Sequence, residues 1–142
     1  MEILFSLLNA LCFSAYVFMG FFVLHLNSKS SSNRSFFLLC MLLSWYALSY
    51  TILPLSSSTH EYMHRLPVSY PGWMFVPSAV LCFFRTIIGE DKPGSLKKPY
   101  VCLAIALPPV IFLTKGLISG TWITGVVKGP LGWGEIINPS SP

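Results

Sequence analysis

The sequence predicts an all-α protein, a polytopic integral membrane bundle of about four transmembrane helices with a Gly/Pro-rich extracytoplasmic segment at its C-terminal end. Three observations predict it. Hydrophobic residues make up 54% of the chain and charged residues only 10%, where a soluble domain carries roughly a quarter charged. The charges gather between long apolar runs and do not alternate along them, the pattern of a chain dissolved in lipid. The runs themselves are close to the roughly twenty residues that cross a hydrocarbon core.

The first run covers residues 3–26 and holds no Asp, Glu, Lys or Arg. It lacks a basic n-region and is longer than a signal-peptide core, so it reads as a retained span. Ser6, Ala10 and Ser14 recur every four residues, a small-residue face of the kind that lets membrane helices approach. The stretch NSKSSSNR, residues 27–34, is polar and short and reads as a turn at the membrane surface. The second run, 35–55, is also free of charge and leaves at Pro54. The third, 68–88, carries Pro71, Pro77 and a terminal Arg85 that can snorkel to the headgroups. The fourth, 100–118, contains Pro108 and Pro109 in mid-run, which predicts a kink, and Lys115 near its end. Residues 119–142 hold repeated Gly and Pro around WITGVV and KGPLGWG, and read as an extracytoplasmic loop or hairpin. All of this is expected to form one membrane domain over 1–142.

The four cysteines, Cys12, Cys40, Cys82 and Cys102, fall one to a run. That placement fits small buried hydrophobes better than a disulfide framework. The net charge of +4 comes from basic residues in short loops, so it sets orientation and does not form a nucleic-acid stripe. No Walker A loop, dinucleotide fingerprint or nucleophile-base-acid set is present, and no cofactor is expected. No acidic residue interrupts the middle of a span, which argues against ion or proton transport.

One catalytic motif needs weighing. His60-Glu61-Tyr62-Met63-His64 matches H-E-x-x-H, in which two histidines one helical turn apart hold zinc and the Glu acts as general base. His60 and His64 are therefore candidate metal ligands. A catalytic zinc needs a third protein ligand. His25 is expected at the opposite membrane face, and Arg65 places a cation beside the site. A solvated interfacial loop that begins a short helix is the better reading, and a zinc hydrolase the lesser alternative.

Longer stretches carry a resemblance. NSKSSSNRSFFLLCMLLSWYALSYTIL, with Trp45 and Tyr50 a few residues apart, resembles the junction of the first two helices in the N-terminal seven-helix sensory region of membrane histidine kinases. HEYMHRLPVSYPGWMFVPSAVLCFFRTIIG resembles the loop and proline-bearing helix that follow, with Glu61, Arg65, Trp73 and Pro77 in the matching places. TWITGVVKGPLGWGEIINPSSP resembles the outward segment after the fourth helix. The resemblance implies a signal-input module of a two-component system, truncated after about four helices. The last three helices, the phospho-accepting histidine helix and the ATP-binding domain fall outside this chain, so no kinase activity is implied. The expected ligand or partner surface comprises Glu61, Arg65, Trp73, Trp122 and Trp133. The expected partners are the lipid bilayer and either further copies of the chain or partner membrane helices, not nucleic acid. A small helical membrane protein working through a partner subunit is the alternative.

Basic residues fix the expected orientation. Lys29, Arg34, Arg85, Lys92, Lys97 and Lys98 share one side, against Arg65, Lys115 and Lys128 on the other. The positive-inside rule then places the N-terminus outside the cell membrane of a bacterium or archaeon. An epitope tag at Met1 is expected to be accessible in intact cells; a tag that becomes accessible only after lysis would reverse this orientation.

Overall fold

The computed structural model describes residues 2–88, 106–115, 123–129 and 132–137. Helix α1 runs from Glu2 to Leu26, α2 from Ser31 to Ile52, the short α3 from Thr59 to Arg65 and α4 from Tyr70 to Ile88. A further apolar helix, α5, spans Ala106–Lys115. Strands β1, Ile123–Gly129, and β2, Gly132–Ile137, pair antiparallel with Lys128 opposite Trp133 and an irregularity between Ile123 and Gly125. Among the described residues, three helices are long and apolar enough to cross a membrane, which makes the molecule a polytopic membrane bundle.

Local chemistry explains the boundaries. Helix α2 starts four residues ahead of the apolar run, because Ser30 stands at the N-cap in extended conformation and its side chain accepts from the Asn33 amide. Pro54 then ends the regular helix in a 3₁₀ turn, Leu53–Leu55. The third span is entered through another 3₁₀ turn, Leu66–Ser69, built around Pro67. Pro71 sits in the first turn of α4, where a missing N–H costs nothing, and Pro77 is carried inside the helix. Pro108 and Pro109, where a kink is expected, fall within the described helix α5. The rest of the 100–118 run, and the 89–99 loop, lie outside the described residues.

Helix α2 is the centre of the packing. Helix α1 lies antiparallel along one stripe of it, with Ser6 bonded to the Thr51 carbonyl and Gly20 against Cys40. Helix α4 lies antiparallel along another, with Gly72 against Tyr46, Phe36 and Phe83 rings 5.4 Å apart, and Ser32 near Thr86. The residues that α2 buries are Cys40, Ser44 and Ala47, all small. Small residues are what a membrane interface uses to bring backbones together. The outward faces carry large apolar side chains such as Leu4, Phe18 and Leu81, as lipid contact requires.

The expected Ser6/Ala10/Ser14 face is corrected here. Ser6 is buried in the seam, but Ser14 is exposed and bonds back to the Ala10 carbonyl at 3.0 Å. A four-residue step advances about 40° around a helix, so Ser14 has rotated off the contact line that continues to the buried Gly20.

A β-carbon on Gly72 would lie 2.9 Å from the Tyr46 backbone nitrogen, whereas on Gly20 it would meet the Cys40 β-carbon at 3.0 Å and a flexible Met41 methyl at 3.2 Å. Backbone cannot yield as side chains can. Gly72→Ala is therefore expected to destabilise the bundle by about 1–3 kcal/mol, and Gly20→Ala by less. Unfolding followed by helicity in mild detergent tests this; equal midpoints for Gly72→Ala and the parent would refute the backbone contact.

Candidate functional site

Where α2 ends, the chain folds back over it and builds a cap. Ser58, extended at φ −138° and ψ 158°, is the N-cap of α3, and its hydroxyl accepts from the Glu61 amide at 3.2 Å. Glu61 reaches back in turn, one carboxylate oxygen accepting from the Ser57 amide at 2.8 Å. This is a capping-box arrangement, shifted by one residue at its return bond. The other oxygen pairs with Arg65 Nη2 at 2.6 Å, one turn along the helix.

The inner side of α3 supplies the hydrophobic anchor. Tyr62 and Leu66 are 3% and 2% exposed and pack with Leu53, also 2% exposed, while Tyr50 and Tyr70 close the cluster. A single side chain then ties the cap to the middle of α2: the Trp45 indole N–H donates to the Val68 carbonyl at 2.8 Å. Beside this bond lies an open groove of about 370 Å³. Trp45, Leu48, Ile52 and Val68 form its apolar walls, and Ser49 and Arg65 also line it. Strand β1 lies against α3, so the hairpin and the cap share one side of the bundle.

The residues expected at the site divide accordingly. Glu61 and Arg65 are together on α3, joined to each other. His60 and His64 fall on the same helix, one turn apart as the motif requires, and both are exposed. Glu61, however, is engaged by Ser57 and Arg65. Among the described residues, no group of three or more His, Cys, Asp or Glu is gathered to hold a metal ion. The glutamate of the motif thus serves helix capping. Trp73 is 44% exposed on α4 and does not line the groove. Trp133 stands in β2, and Trp122 lies outside the described residues. Sequence reasoning named Trp45 only for the resemblance and missed Ser58, Tyr62 and Leu66. The signals were present: Ser58-x-x-Glu61 is a capping-box pattern, and residues 45, 48 and 52 share a helical face.

The capping assignment has a local readout. Ser58→Ala is expected to cost about 1 kcal/mol, seen as faster hydrogen exchange over 59–65, with exchange in α1 unchanged. Unaltered protection of α3 would remove the cap.

Comparison with known proteins bears on the whole arrangement. No curated protein and no solved structure matches the chain. The family model described as the N-terminal 7TM region of histidine kinase matches residues 6–134. That stretch runs from the first turns of α1, through the cap, to the middle of β2. The chain belongs to the family of N-terminal 7TM regions of histidine kinases.

Proposed function

We propose that this chain is a membrane-embedded signal-input module whose stimulus enters at the cap and whose output is read by a kinase core elsewhere. The observation that carries the reading is the family match over 6–134. The family is the sensory, N-terminal part of histidine kinases and not their catalytic part, so no kinase chemistry is assigned to these residues. The N-terminus, cap and hairpin face outward from a bacterial or archaeal cell membrane, in keeping with the basic residues Lys29, Arg34 and Arg85 at the other end of the helices. The input surface comprises Glu61, Arg65, Trp73, Trp122 and Trp133. Partners are the bilayer and other membrane helices, from a second copy or from the remaining part of the sensor.

The mechanism is a population shift. Helix α3 runs into α4 through a 3₁₀ turn around Pro67, so a ligand that favours one cap position biases the position of α4. The far end of α4 meets α2 at Thr86 and Ser32, where the bias reaches the opposite membrane face. A ligand shifts the equilibrium only by its differential affinity for the two arrangements.

The test uses the complete reading frame that carries this region, assayed for autophosphorylation in native membranes. Arg65→Gln and deletion of 123–137 are each expected to change the basal rate by about fivefold or more, the lower range of allosteric couplings. Rates indistinguishable from the parent for both variants would sink the input role. A reading frame with no kinase core would transfer the assignment to a small membrane protein that works through a partner subunit.

A further inference from the structure

We propose that the groove beside Trp45 is a lipid site that seats one acyl chain of an anionic phospholipid from the leaflet on the cap side. Its volume, about 370 Å³, falls in the range of small-molecule sites. Its position selects the occupant. Trp45, Leu48, Ile52 and Val68 are 47%, 38%, 45% and 55% exposed, and the first three stand on α2, one of the helices long and apolar enough to cross a membrane. From Trp45 to Ile52 the wall extends about 10 Å along the helix axis, down from the end of α2 where the cap begins.

The lining also includes one cation. Arg65, the last residue of α3, borders the groove, and its side chain stays 43% exposed with one terminal nitrogen held by Glu61. That carboxylate is itself shared with the Ser57 amide, so the guanidinium keeps donors for a phosphate oxygen. Arginine is suited to this recognition because its planar fork matches phosphate geometry. The indole N–H is already spent on the Val68 carbonyl and the Ser49 O–H on the Trp45 carbonyl at 2.9 Å. The lining beside them is apolar, Trp45, Leu48, Ile52 and Val68, and suits a methylene chain. Head at Arg65 and tail along Trp45 is the orientation of a lipid in that leaflet.

An occupant wedged between α2 and the 3₁₀ turn at Val68 touches both partners of the indole bond that ties down the cap. The site thus names the ligand class for the proposed input module, and rests on that reading for its signalling role.

The test is retention of lipid by the purified full chain in mild detergent, weighed by native mass spectrometry. Phosphatidylglycerol and phosphatidylcholine with identical acyl chains are supplied together. One phosphatidylglycerol per chain is expected, preferred by about fivefold, the effect of one basic residue near a membrane surface. Arg65→Gln should abolish the preference, and Arg65→Lys should keep most of it. Ile52→Trp, a substitution on the exposed wall, should expel both lipids while leaving helicity unchanged. Equal retention of the two lipids by the parent, or a preference that survives Arg65→Gln, would overturn the site. Loss of helicity in Ile52→Trp leaves the decision to the two arginine variants. The assay is independent of kinase output: an empty groove removes this proposal alone, and a filled groove with an unresponsive kinase removes the input role alone.

Discussion

In hydrocarbon there is no water to satisfy a backbone carbonyl, and each one left alone costs several kcal/mol. The helix ends of this molecule are arranged around that constraint. The last turn of α1 releases the Val23 carbonyl, which the Asn33 amide group of α2 takes at 2.8 Å. The last turn of α2 releases the Thr51 carbonyl, which the Ser6 hydroxyl of α1 takes. The irregular turn before α4 releases the Val68 carbonyl, which Trp45 takes. These three carbonyls are each completed by a side chain of a neighbouring element, so the helices hold one another in register as well as in contact. Inside the helices, hydroxyls close on their own turns, as Ser49 does on Trp45 and Thr51 on Ala47.

The same economy explains the polar turn between α1 and α2. The Lys29 amide bonds to the Asn27 side chain, the Ser30 amide bonds to the Asn27 carbonyl, and Arg34 donates to the Ser28 carbonyl at 2.8 Å. A run of serines and asparagines looks like a flexible surface linker. Here it is a short turn in which the Asn27 and Arg34 side chains answer backbone groups, and it fixes the antiparallel hairpin on which α4 is laid. The cap at the other end is fixed differently, by burial of Tyr62 and Leu66 on Leu53.

The spans were legible because absence of charge over twenty residues has one physical reading, and α1 matches its apolar run almost to the residue. The turn chemistry was less so. Ser30 and Ser58 act as N-caps, and serine is too common for its presence alone to mark a helix start. A short helix at the H-E-x-x-H stretch was legible, but its capping role was not. Which job Glu61 performs depends on Ser57 and Arg65 being within reach, and only the fold decides that. The α1 seam was half legible. Ser6 belonged to it, but a strict four-residue repeat drifts off a contact line that passes through Gly20. The groove was not legible, because its two walls come from α2 and from the turn before α4, brought together by Gly72.

The position of α2 between α1 and α4 also has a meaning for biosynthesis. A chain is made from its N-terminus, so α2 meets α1 while the residues of α4 are still inside the ribosome. The first hairpin can close at once, through Gly20 and the 27–34 turn. The second stripe of α2, with the Tyr46 backbone laid bare for Gly72, must wait in the bilayer for another helix. During that interval the nascent hairpin displays an unclaimed docking surface, the one that α4 covers in the folded chain.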